Sequence, residues 1–153
     1  MPEVALDMEL RAPAADVWDA VVAIDRYPAS MDNVRSVEIL DDDREGKRRS
    51  VWSVLLKGSI LEWEEVETVD SQRLTMTFEQ VAGDMERLDG EWVVSPQGDA
   101  RTSVRLRVSF DIGIPLLADM LNPVAQRALH DNCVDMLRGV EHAALERSAP
   151  APR

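Results

Sequence analysis

The chain has 153 residues, 45% of them hydrophobic, and a formal net charge of −12. That is one domain of ordinary size with room for a real core, and no segment approaches the roughly 18 consecutive apolar residues of a membrane-spanning helix, so no membrane insertion is expected. The acidic balance argues against nucleic acid or an anionic membrane surface as main partner, and one cysteine with two histidines argues against a disulfide or a metal cluster.

The beginning, Met1-Pro2-Glu3-Val4, has neither a basic n-region nor an apolar h-region, which makes the cytoplasm the default location. Val4, Leu6, Met8 and Leu10 alternate with polar or small residues, as in a half-buried strand that stops at Ala12-Pro13. Pro13 suits a first helical turn, and Val17, Ala20, Val21 and Ile24 follow at helical spacing until Asp25-Arg26-Tyr27-Pro28 breaks the pattern. Ala29-Ser30-Met31-Asp32 reads as a second short helix or turn.

Six strands follow, at about 34 to 41, 48 to 57, 60 to 69, 73 to 81, 86 to 96 and 101 to 111. Their joints, including Lys57-Gly58-Ser59, Asp70-Ser71-Gln72 and Ala82-Gly83-Asp84, are short enough to imply antiparallel hairpins. Asn122-Pro123 resembles an N-cap followed by proline at the first helical position, opening a helix to about Arg147 with Leu129, Cys133, Met136, Val140 and Ala144 on its apolar stripe. One domain, residues 1–147, is expected, with residues 148–153 a disordered Pro/Ala tail.

Seven strands at about 4.7 Å spacing make a sheet roughly 33 Å wide, whereas a helix is about 10 to 12 Å across. One helix cannot cover such a sheet flat. The sheet must curl around the terminal helix, with the short helices closing one end, and that arrangement readily leaves a cavity for a hydrophobic ligand.

The segment Leu61-Glu62-Trp63-Glu64-Glu65-Val66-Glu67 carries the chemistry. Period-two alternation puts Glu65 and Glu67 on the face of Leu61 and Trp63. If that face is interior, two carboxylates enter an apolar chamber, where burial either raises their pKa values or requires a polar partner.

Ala12-Pro13-Ala14-Ala15-Asp16-Val17-Trp18, Tyr27-Pro28, Val37-Glu38-Ile39-Leu40, Gly90-Glu91-Trp92 and the long terminal helix resemble the START/Bet v 1-like (SRPBCC) helix-grip superfamily. Within it the chain is similar to the polyketide cyclase/dehydrase and coenzyme Q-binding branch, over about residues 3 to 146. The resemblance implies an α+β helix-grip fold: a curved seven-stranded antiparallel sheet around the C-terminal helix, two short helices between strands 1 and 2, and an internal hydrophobic cavity. It also implies that Leu61, Trp63, Glu65 and Glu67 face the cavity. Glu67 stands where the aromatase pattern has a carbonyl-binding arginine, and Glu65 where it has a serine. A second arginine falls near Glu79, which the apolar face of Leu74, Met76 and Phe78 leaves outside. Aromatase chemistry is therefore not carried over.

The expected cavity wall comprises Tyr27, Met31, Trp52, Leu61, Trp63, Trp92, Val94, Leu106, Val108, Met136 and Val140, joined by Val54, Leu56 and Val104. Glu65 and Glu67 are the candidate catalytic pair, one a raised acid and the other ionised; the plainer reading is a wet cavity end or an arginine pairing. Trp63 and Trp92 are either ligand-stacking surfaces or simple core. Cys133 reads as an inert small hydrophobe, and His130 and His142 as surface residues.

The resemblance implies a cofactor-independent polyketide cyclase or dehydratase acting on a hydrophobic substrate. The alternative is a non-catalytic carrier or sensor of a lipid or quinone. An acyl carrier protein, itself acidic, would need a basic landing site, for which Arg44, Lys47, Arg48 and Arg49 are the candidates.

Overall fold

Alternation over Glu3–Leu10 forms the first strand, β1, which buries Val4 and Leu10. The computed structural model describes residues 3–56, 58–111 and 118–148. Pro13, extended at φ −62° and ψ 148°, precedes α1 (Ala14–Val22) as its cap rather than opening its first turn. The buried side of α1 is Val17, Trp18, Ala20 and Val21. A single 3-10 turn, Ile24–Arg26, then runs straight into the four-residue α2 (Tyr27–Ser30), with Pro28 in its first turn.

The strands β2 (Val34–Asp42), β3 (Lys47–Leu56), β4 (Ser59–Asp70), β5 (Thr75–Gly83), β6 (Arg87–Pro96) and β7 (Thr102–Asp111) follow. They form one antiparallel sheet in the order β1-β7-β6-β5-β4-β3-β2. Consecutive strands are neighbours because their joints are tight turns; Asp70 Oδ1, for example, accepts the backbone N–H groups of Gln72 and Arg73, both at 3.1 Å.

β5 runs on through Gly83, past the turn expected at Ala82. A bulge makes this possible: Glu64 pairs with Ala82 and Glu65 with Gln80, leaving Val81 as the extra residue. Gly83, at φ 153°, lies so close to the α and β carbons of Trp63 that no side chain would fit there. The end of β5 is thereby bent over Trp63.

The terminal helix α3 spans Ala118–Ser148 and contains Pro123 instead of starting beside it. Proline removes one backbone bond from the ladder, but the helix is held by burial further along, where Cys133, Leu137, Val140 and Ala144 are all at most 1% exposed. At Gly139 a β-carbon would come within 2.6 Å of Met31 Cγ and 2.8 Å of the Ser30 carbonyl, so the end of α2 rests directly on α3. This contact closes one end of the grip. Of the expected disordered tail, residues 148–153, Ser148 is the last residue of α3, and residues 149–153 lie outside the described residues.

Candidate functional site

The site is built by register between β3 and β4. Arg48 stands opposite Glu67, Ser50 opposite Glu65, Trp52 opposite Trp63, and Val54 opposite Leu61. On both strands these residues share the parity that faces the core, so the paired strands present a polar end and an apolar end to the interior. At the apolar end the rings of Trp52 and Trp63 stack, with centroids 5.8 Å apart and planes 5° from parallel.

At the polar end Glu67 is 0% exposed. Its Oε1 accepts from Arg48 Nε at 2.8 Å, and its Oε2 from the Ser50 hydroxyl at 2.5 Å. Ser50 Oγ in turn accepts the indole N–H of Trp52 at 2.9 Å. Arg48 completes its surroundings with a 3.3 Å contact from Nη2 to Met76 Sδ. A buried ion pair depends on partners for its remaining polar atoms, and both carboxylate oxygens of Glu67 have one.

Glu65, at 3% exposure, accepts the Trp63 indole N–H on Oε1 at 2.7 Å. Burial holds its carboxyl well above the ordinary range, and hydrogen bonding and charge from Glu67 push it further the same way; the Trp63 bond and the Arg48 charge only partly oppose them. These surroundings favour the neutral, protonated form of Glu65 beside the carboxylate that Arg48 holds.

Only Glu65 of the two acids reaches the cavity. From β3 and β4 the cavity takes Trp52, Val54, Leu56, Leu61, Trp63 and Glu65. From β5, β6 and the turn between them come Met76, Phe78, Met85, Leu88 and Trp92. β7 adds Leu106 and Val108, and α3 adds Leu129, Asn132, Cys133 and Met136. About 690 Å³ of space lies between these atoms, counting the mouth, of which the centre of a water molecule can reach about 70 Å³. It is a narrow apolar slot, whose polar side chains are the carboxyl of Glu65 and the amide of Asn132, beside the indoles of Trp52, Trp63 and Trp92.

Several residues expected on the wall stand elsewhere. Tyr27, Met31 and Val140 are buried where α1 and α2 pack onto α3, and they border a separate cleft between those helices, not the slot. Tyr27 sets its ring edge-on to Trp52 and Trp92, at 5.6 and 6.3 Å, and donates its hydroxyl to the Val21 carbonyl at 2.5 Å. Burial, outweighing Arg48, keeps that phenol neutral. Val94 and Val104, neighbours across β6 and β7, are core residues away from the slot, in the part of the sheet over which α1 packs.

Arg48 is a further correction. It is 8% exposed and committed to Glu67, so it cannot belong to a surface landing site. The signal was present in the alternation, since counting back by twos from Trp52 reaches Ser50 and then Arg48. Asn132, Met85 and Leu88 were also missed: Leu88 shares the parity of Trp92, whereas Met85 lies between strands and Asn132 on the flank of the helix stripe, beyond any periodicity. Glu79 is exposed, and His130 and His142 are surface residues beside Asp131 and Glu146. Burial pushes the Cys133 thiol up to about 12, which leaves it a poor nucleophile.

Residues 10–136 match the family model for polyketide cyclase / dehydrase and lipid transport proteins. The chain belongs to that family. No curated protein matches it by sequence. Among solved structures it is similar to TTHA0849 from Thermus thermophilus, at 27% identity and TM-score 0.90 over 97% of this chain and 100% of that one. It is also similar to the Zhui aromatase/cyclase from Streptomyces sp. R1128, at 22% identity and TM-score 0.82 over 96% and 95% of the two chains. A START superfamily protein from Mycobacterium smegmatis shares the fold at 14% identity and TM-score 0.82, over 97% and 100%. The chain thus has the helix-grip fold of these structures, with the Leu61–Glu67 face turned inward.

Proposed function

We propose that this family member is a polyketide cyclase or dehydratase that works without a cofactor, on a hydrophobic ketide held in the β3/β4 slot, with Glu65 as general acid. The observation that carries the reading is a buried carboxyl, Glu65, on the wall of an otherwise apolar cavity, beside a stacked tryptophan pair and in surroundings that favour its protonated form. A carbonyl oxygen reaching Glu65 would receive its proton as a new carbon–carbon bond forms. The enol that supplied the carbon would return its O–H proton to the Glu65 carboxylate, so the enzyme ends each aldol-type closure as it began. In dehydration the same group would protonate the departing hydroxyl, and its carboxylate would take the proton from the α-carbon as the double bond forms, so water leaves and the acid is restored. Glu67, fully buried and bound to Arg48, does not touch the substrate on this reading and serves as the acceptor that keeps the Glu65 proton in place.

The deciding experiment compares the products formed from a poly-β-ketone thioester by wild type and by Glu65→Gln, which keeps shape and removes the acid. An unchanged cyclised product from the variant would remove the acid role.

A second reading is favoured by the lining itself: apart from Glu65 and Asn132 the walls are hydrocarbon, sulfur and indole, which suits a carrier or sensor of a lipid or quinone. A stoichiometric lipid or quinone found by native mass spectrometry of freshly purified protein would support it. If the substrate arrives on an acyl carrier protein, docking is left to Arg44, Lys47 and Arg49. These stand beside Asp41, Asp42 and Asp43, and Arg49 already pairs with Asp41 at 2.9 Å.

A further inference from the structure

Arg48, Glu67 and Glu65 lie side by side in the interior, at 8%, 0% and 3% exposure, and only one of the three can carry positive charge. Arg48 Nε holds Glu67 at 2.8 Å, and Glu65 faces the cavity from the same strand as Glu67. Arg48 also stands opposite Asp42 of β2 and borders a surface cleft with Asp42, Arg44, Glu45 and Asp70, whose charges are solvated, whereas the charged groups acting on Glu65 are Glu67 and Arg48. The 3-10 turn and α2 present Tyr27, α3 presents Cys133, and β5 presents Met76, Phe78 and Gln80. Tyr27 and Cys133 both stay neutral. In so dry a site a net charge is costly, and one arginine balances one carboxylate.

We propose that Arg48 is a positioning residue that sets the number of protons in the site: its single charge holds one negative charge across Glu65 and Glu67, so one proton always stays on the pair. Because Arg48 and Ser50 both engage Glu67, the charge rests there and the proton rests on Glu65, facing the slot. The cation that accompanies the cavity acid thus comes from β3, one strand away from the acid it controls. This deepens the reading of Glu65 as the acid and rests on it only for its functional meaning.

Carboxyl-carbon NMR of protein labelled with 13C-glutamate counts protonated glutamates directly. At pH 7 wild type should show one. Glu67→Gln should show none, because Arg48 is then left without its partner carboxylate and draws the negative charge onto Glu65. Arg48→Met should show two, and Arg48→Lys should restore one. A protonated glutamate persisting in Glu67→Gln, or a single one in Arg48→Met, would overturn the assignment. If Arg48→Met does not fold, the near-isosteric Glu67→Gln decides alone. Binding of Nile red, a neutral planar dye with a carbonyl group, reports the cavity separately. Failure of the dye to bind, with the expected proton counts, would remove the ligand-slot reading and leave the role of Arg48 standing; dye binding with unchanged counts would do the reverse.

Discussion

The indole N–H of Trp63 and the carboxyl of Glu65, two residues apart on one face of β4, meet at 2.7 Å. The bond ties the orientation of the acid to the aromatic wall, because the same indole is stacked on Trp52. Trp63→Phe keeps a flat ring but removes the donor. Since that bond lowers the Glu65 pKa, its loss should move the Glu65 midpoint further upward, measurable in the 13C-glutamate titration.

Glu65→Gln should reduce cyclisation by about 10² to 10⁴-fold, the usual contribution of one general acid. Nile red affinity should change by less than about threefold, because the amide fills the same space. The contrast between the two assays separates chemistry from binding.

Stability should fall with rising pH. The folded-state pKa of Glu65 lies above its ordinary value of 4.5, so the folded protein binds this proton more tightly than the unfolded chain does. The resulting stabilisation is complete below about pH 4.5 and is lost as pH rises toward the folded-state value, at up to about 1.4 kcal/mol per pH unit. Urea midpoints measured from pH 5 to 9 should show this decline, and Glu65→Gln should flatten it.

Cys133 lines the slot at 1% exposure, and its thiol is pushed up to about 12. Alkylation by iodoacetamide at pH 8 should therefore be negligible without denaturant. Cys133→Leu extends a side chain into the roughly 70 Å³ of accessible space. It should weaken Nile red binding by about tenfold or more, while costing stability by about 1–3 kcal/mol if the slot cannot yield.

Carrier docking, if it occurs at the β2–β3 turn, is tested by Arg44→Glu with Lys47→Glu, read by titration calorimetry at low salt. Both residues are exposed, so folding should be unaffected. A loss of several-fold in affinity for an acyl carrier protein supports that face, and unchanged affinity removes it.

Much of the architecture was legible because it follows from short-range chemistry. Alternation located the strands to within a few residues, since a half-buried strand must alternate, and turn residues marked the hairpins. The element furthest misplaced at its start, α3, shows the limit of local signals: Pro123 resembles a first helical position, yet burial of the Cys133 to Ala144 stripe supports a helix that passes through it. Similarly, Tyr27, Met31 and Val140 were recognisable as interior, but whether an interior residue borders the slot or stands apart from it depends on how closely α2 approaches α3 at Gly139.

By itself the sequence determined the alternation that puts Glu65, Glu67, Trp63 and Leu61 on one face, and Arg48, Ser50 and Trp52 on another. Period two assigns sides without reference to distant residues. Only the tertiary structure decided that the two faces are the same wall, that Arg48 lies across from Glu67, and that Glu65 alone meets the cavity. Register between strands is set by turns, a bulge and the packing of a whole sheet around one helix. A carboxylate's neighbours, unlike its side of the strand, are chosen by the fold.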